Sequence, residues 1–200
     1  SNLISTPMKD PFVVEAGKDP WDGATPIDII VAYVCVFVIL DNGMVYGWGL
    51  HDYYNLGESM KASRFNYTPR PIELDFDGTI RNLTDVTQLV SGHTHSCATF
   101  PNHSLKCWGS DYHGQAESIT EFDGSDPSKQ VKFVGVGQEE TCVVTMENQI
   151  KCFGEHSSGF MYDADHEITD LSFSKIRKHG CFLLNTSGQN MMCFGHNDYG

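Results

Sequence analysis

The chain has 200 residues, of which 40% are hydrophobic, with 19 glycines, 8 prolines and a formal net charge of −13. This is length enough for one sizeable core, while so acidic a surface disfavours nucleic acid and anionic membranes as partners. No run of about 18 apolar residues is present, so nothing reads as a membrane-spanning helix.

Residues 1–26 carry no repeated pattern and read as an N-terminal segment of undefined role. The first residue is Ser1 rather than Met, which reads as a processed or excised form. The most apolar stretch, IDIIVAYVCVFVIL from Ile27 to Leu40, lacks the basic flank and cleavage site of a signal peptide. It opens a first unit near 27–58 that closes with YGWGLHDYYNLGE. Residues 59–85 then read as an inserted surface loop, the kind of excursion that carries binding residues. A second unit near 86–118 contains HSCATFPNHSLKCWGSDYHGQ. The acidic stretch Glu117–Asp126 precedes a third unit near 131–163 with TCVVTMENQIKCFGEHSSG. Another acidic stretch, Asp163–Asp170, leads to a fourth near 173–200 with GCFLLNTSGQNMMCFGHNDYG.

The aromatic-Gly pairs of the four units end at Gly49, Gly109, Gly154 and Gly195, in steps of 60, 45 and 41 residues. A period of this length built from short strands implies stacked blades or a solenoid, because one unit cannot bury its own apolar face. Each unit reads as a hairpin. Asn102 lies midway between Cys97 and Cys107, Glu147 midway between Cys142 and Cys152, and Ser187 midway between Cys181 and Cys193. All three midpoints fall in turn-forming sequence. Residues equidistant from a hairpin turn face each other across the strands, close enough for a disulfide. Six cysteines allow fifteen connectivities; the shared register favours Cys97–Cys107, Cys142–Cys152 and Cys181–Cys193. The first unit has Phe37 and Gly47 at these positions and leaves Cys35 without an assigned partner. Matched cysteine spacings belong to an oxidising compartment. Four N-glycosylation sequons, at Asn66, Asn82, Asn102 and Asn185, point the same way.

The units resemble the repeats of the RCC1-like propeller family (regulator of chromosome condensation). SGHTHSCATF, CWGSDYHGQ, YYNLGE and TPRPIEL carry the resemblance, which covers roughly Ile27 to Gly200 and is strongest in the first two units. It implies an all-β propeller with about four blades present, forming part of a larger, seven-bladed ring. The end of the chain at HNDYG, inside a repeat motif, reads the same way. Further blades or self-association would complete the ring. The cysteine-paired form is similar to secreted bacterial members and to the crinkly-type ectodomains of plant receptor kinases.

Chemistry-bearing clusters are few. His93, His95 and Cys97 alternate along one strand and could suit a metal, but His95 falls on the repeat motif and Cys97 has a hairpin partner. Asp163, Asp165, His166 and Glu167 lack the spacing of a calcium loop and read as an acidic inter-blade loop. Ser157–Gly159 matches a structural turn, and no nucleophile elbow, phosphate loop or metalloprotease motif occurs. Trp48, Trp108, Phe153 and Phe194 share one repeat position and read as inter-blade core, and Cys35 as an inert buried thiol. No catalytic residue, metal or cofactor is expected. The expectation is an extracellular or cell-surface recognition or scaffold propeller that meets a protein partner through its loops. Two alternatives remain. One is a guanine-nucleotide exchange factor for a small GTPase, as the resemblance to the founding member implies. The other is a secreted enzyme inhibitor or accessory domain.

Overall fold

The computed structural model describes residues 19–58, 65–155, 161–174, 179–188 and 190–195. Antiparallel sheets dominate it. Strands β1 (Pro26–Val31), β2 (Cys35–Leu40), β3 (Val45–Leu50) and β4 (Phe65–Pro71) form the first blade in that order. A separate hairpin pairs β5 (Glu73–Phe76) with β6 (Thr79–Asn82). The second blade is β7 (Gln88–Ser91), β8 (His95–Thr99) and β9 (Leu105–Gly109). The third is β10 (Val131–Val136), β11 (Glu140–Thr145), β12 (Gln149–Gly154) and β13 (Met161–Asp163). The fourth is β14 (Ile168–Phe173), β15 (His179–Leu184) and β16 (Met191–Gly195).

The central hairpin of each blade is set by the pattern its sequence carries. Cys97 lies opposite Cys107, Cys142 opposite Cys152 and Cys181 opposite Cys193. Each pair is joined as a disulfide, with Cα atoms 4.0, 4.1 and 4.0 Å apart. That closeness belongs to the non-hydrogen-bonded positions of an antiparallel ladder. In the first blade Phe37 faces Gly47 at the same place. A Cβ on Gly47 would lie 2.8 Å from Ile72 and 3.2 Å from Phe37, so the missing side chain makes room for the ring. Gly109 and Gly154 hold φ of 109° and 112°. A Cβ there would strike the Thr94 and Glu139 carbonyls at 2.7 Å and at closer than contact distance respectively, which explains the glycine after each aromatic.

Three apolar clusters fill the three seams between blades. Phe37 and Cys35 of the first blade meet Leu89, Ala98 and Trp108 of the second. Cys97 and Cys107 of the second meet Val131, Val134 and Val136 of the third. Cys142 and Cys152 of the third meet Ile168, Phe182 and Leu184 of the fourth. Each disulfide therefore faces the following blade, and each repeat aromatic faces the preceding one. Trp108 packs edge-on to Phe37, with ring centroids 6.4 Å apart, and Phe173 and Phe182 flank Phe194.

Two sequence expectations change. The segment 59–85 is not simply a loop. From residue 65 it supplies β4, whose Pro69 and Pro71 suit an edge strand, and then the β5–β6 hairpin. Ile72, Leu74 and Leu83 bury themselves in the first seam, which explains why these residues fold rather than loop out. Of the four repeat aromatics expected in inter-blade core, Phe194 does pack into the third seam, but Trp48 lies on an outer face and is half-buried where Trp108 is only 3% exposed. Beside Trp48 on the outer side of the first blade, Ile27, Ile29 and Val31 are about 60% exposed (65%, 62% and 60%). On the outer side of the fourth blade lie Leu183, Met191 and the Cys181–Cys193 bridge, whose Cys193 is exposed although the other two bridges are buried. Trp21 of the N-terminal segment covers Tyr46 edge-on; residues 1–18 of that segment lie outside the described residues.

Two outcomes follow from this packing. Replacing Cys142 and Cys152 by alanine should lower the unfolding free energy by about 2–3 kcal/mol, the loop-closure contribution of a bridge this short, plus a cavity contribution; urea midpoints measure it. The exposed aliphatic row on β1 should drive concentration-dependent association of the 200-residue chain in sedimentation runs, and Ile29→Lys with Val31→Lys should abolish it.

Candidate interaction surface

Because all the sheets are antiparallel and run the same way, the connections sort to two ends. One end gathers the β1–β2, β7–β8 and β10–β11 connections and the segments after β3, β9 and β12; it is called the loop end here. The other gathers the β2–β3, β8–β9, β11–β12 and β15–β16 hairpins, the turn end.

The segments after β3 and β9 do the same structural work with different residues. His51 accepts the Leu56 amide on Nδ1 at 3.1 Å, and Asp111 accepts the Ala116 amide at 2.8 Å and the Ser118 amide at 3.0 Å. Each staple folds the segment so that one backbone carbonyl reaches the next blade. The Asn55 carbonyl accepts the Trp108 indole N–H at 2.9 Å, and the Gln115 carbonyl accepts the Thr141 hydroxyl at 2.6 Å. These bonds latch successive blades together beside their apolar seams.

The second latch continues into a buried histidine. His95 is fully buried, and its Nε2 lies 2.7 Å from Thr141 Oγ1. Thr141 has one hydroxyl proton and gives it to Gln115, so the ring nitrogen is the donor and the Nε2–H tautomer is defined. Burial lowers the His95 pKa from 6.5 to about 4, against the raising influence of Asp111 and the Glu140 backbone. His95 is thus a neutral seam residue, and His93 is placed apart from it at the loop end.

What the loop end presents is aromatic. Tyr33 packs edge-on to His93, with centroids 4.2 Å apart, and Tyr53 lies 6.0 Å from the same ring, so the first two blades share one cluster. Tyr33 is 55% exposed, Tyr53 40% and Tyr112 88%. Tyr112 packs edge-on to His113, whose Nε2 lies 4.0 Å from the carboxylate of Glu139 on the third blade. The sequence reading missed this row. Its signal was HDYY and SDYH recurring after the aromatic-Gly pair.

The expected site residues divide between the ends. Asn82, Asn102 and Asn185 are exposed and all lie at the turn end. Asn66 lies opposite Gly49 on β4 and is only 7% exposed. The acidic stretch Glu117–Asp126 is not all surface, since Ile119 and Phe122 are buried in the second seam. The stretch Asp163–Asp170 runs from the end of β13 into β14. Within it Glu167 pairs with Lys132 Nζ at 2.9 Å, and that bond, with a second from Asn185, holds its carboxyl below the usual range. Asp163, Asp165 and His166 form no group of potential metal ligands with it. Among the described residues, three such side chains converge instead at His113, Glu139 and Glu155. Ser157–Gly159 lies outside the described residues. No helix among the described residues is long and apolar enough to cross a membrane.

Blades of three or four antiparallel strands, packed face to face, define a β-propeller repeat protein. Within that class, two models of the regulator of chromosome condensation (RCC1) repeat match residues 42–99 and 86–115, so the chain carries RCC1-like repeats there. The fold is similar to yeast RCC1 (Prp20) bound to Kap60, with a TM-score of 0.64 and 16% identity over 88% of this chain and 43% of that one. It is also similar to Prp20p of Saccharomyces cerevisiae, described with its binding to Gsp1p and histones (TM-score 0.62, 16% identity, 88% and 45% covered). A third similar fold is the CRINKLY WD40 ectodomain of the Arabidopsis thaliana receptor kinase ACR4 (TM-score 0.54, 15% identity, 88% and 52% covered). The chain spans about half the length of these structures. No curated protein sequence matches it.

The histidine seam carries a pH signature. His95 has a folded pKa below its unfolded value, so its contribution to stability is complete above about pH 6.5 and declines as pH falls toward 4. The loss is on the order of 3 kcal/mol. In urea titrations across that window, His95→Gln should show a shallower decline than wild type.

Proposed function

We propose that this chain is part of a larger RCC1-like propeller at the cell surface or outside the cell, and that it recognises a protein partner through its loop end without catalysing a reaction. One observation carries the reading. Exposed tyrosines and histidines converge at the loop end, while the three exposed glycan acceptors sit at the turn end. Tyrosine offers a large, rigid contact area with a polar tip, which is why it is enriched at protein interfaces. An end free of glycan is open to a partner, and a glycosylated end is not.

Three further features support it. The hairpin disulfides suit an oxidising compartment. The latched, close-packed blades form a rigid body on which end loops are held in place. Glu139, Glu155 and Asp111 interleave with the tyrosines in a chain of net charge −13, so a basic or mixed-charge partner surface is the complementary one. Larger blade number is supported by the two apolar outer faces, which are the halves of one more seam of the same kind.

The test compares surfaces. Tyr33→Ser, Tyr53→Ser and Tyr112→Ser together should abolish co-purification of the partner captured from the native host's secreted or surface fraction, with unchanged thermal stability. Asn82→Gln, Asn102→Gln and Asn185→Gln should remove all glycan mass and leave capture intact. Loss of capture only in the asparagine variants would place recognition at the turn end. Accelerated nucleotide release from a small GTPase, with six free thiols in native material, would replace this reading by the exchange-factor one.

A further inference from the structure

We propose that His113, Glu139 and Glu155 form a binding site for a divalent cation of the zinc class, which bridges the second and third blades at the loop end. The site stands on its own geometry and does not depend on the recognition reading.

One imidazole nitrogen and two carboxylate oxygens from these residues all lie within 4.8 Å of one another. Zinc holds nitrogen and oxygen donors at about 2.0–2.2 Å, so small rotations of the glutamate side chains bring all three onto one ion. The donors come from three separate segments: the stretch after β9, the β10–β11 connection and the residue that follows β12. Each segment is anchored by bonds that use none of the ligand atoms. The His113 amide donates to Gln115 Oε1 at 2.8 Å. The Gln138 carbonyl, next to Glu139, accepts the Thr94 hydroxyl of the second blade at 2.9 Å. The Glu155 amide donates to the Glu139 carbonyl at 3.3 Å. The backbones are thus held in place before any ion arrives, which limits what binding must order.

The Glu139 and Glu155 carboxylates share this small space with the imidazole, in a chain of net charge −13. A divalent ion held there joins two blades. The donor set selects its class. One imidazole with two carboxylates suits zinc and its first-row neighbours, whereas calcium takes six to eight oxygens. Three protein donors leave a tetrahedral ion one open position. His113 and Glu139 side chains are 27% and 29% exposed, so that position is reachable from solvent by water or by a partner's side chain.

Isothermal titration of the chelator-treated, disulfide-intact 200-residue chain with zinc chloride tests the proposal. One ion per chain is expected, with a rise in the midpoint of thermal unfolding. His113→Ala and Glu139→Gln should each weaken binding at least tenfold, while His93→Ala, a loop-end histidine outside the set, should leave it unchanged. Near-ultraviolet circular dichroism verifies that the variants fold; His113→Gln, which keeps the backbone anchor, replaces His113→Ala if that variant does not. Absence of binding up to millimolar zinc overturns the proposal. So does equal binding by a variant with His113→Gln, Glu139→Gln and Glu155→Gln combined.

Discussion

Everything in this molecule depends on the seam between consecutive blades. A three- or four-stranded sheet buries little by itself, and here each one becomes stable by pressing a flat apolar wall onto the next. The wall is built at the centre of the hairpin, where Cys97–Cys107 or Cys142–Cys152 ties the two strands, or where Phe37 lies across Gly47. The opposing surface is the aromatic of the following unit, Trp108 against the first blade and Phe153 against the second. The disulfide thus acts twice. It limits the unfolded chain, and it presents a compact sulfur surface of fixed register to its neighbour.

The apolar seam gives cohesion without direction, and the polar latches supply the direction. The Asn55 and Gln115 carbonyls each meet one donor on the next blade. A sliding blade would leave these buried groups unpaired, and an unpaired buried donor or acceptor costs more than the bond itself contributes. His95 extends the second latch into the interior at the cost of staying neutral. The segments that form the latches also end the strands at the loop end. The tyrosine row, the histidines and the candidate cation site therefore stand on the same backbone that holds the blades together, so recognition and stability share their supports.

Repetition with variation explains why the two ends differ. At the turn end each hairpin closes locally, as where Asn102 accepts from Ser104 within its own turn, and the next blade is tied to it chiefly through backbone, as where the His103 carbonyl accepts the Val131 amide. At the loop end the chain must travel to the next blade, and side chains from different units meet. Tyr33 and His93 come from different blades, as do His113 and Glu139. That end is where new combinations of residues can arise without changing the repeat.

Much of the local architecture was legible in the sequence. Cysteines equidistant from a turn, and a glycine after each aromatic, state the hairpin register because strand pairing across a short turn is a local property. The all-β class and the repeat period follow from the same pattern. The outward row on β1 was hidden, since Ile27, Ile29 and Val31 look like core until the sheet shows that no described blade covers them. The burial of Asn66 and the recruitment of Ile72, Leu74 and Leu83 into the first seam were hidden likewise. Each depends on what lies across an interface from residues distant in the chain. The convergence of His113, Glu139 and Glu155 is of the same kind, with no spacing rule to announce it. What the sequence by itself determined was how each hairpin closes, because its two strands share one short turn. Which faces meet, which stay open and which side chains gather at the loop end was decided only by packing blade on blade, since those contacts join residues that no local pattern links.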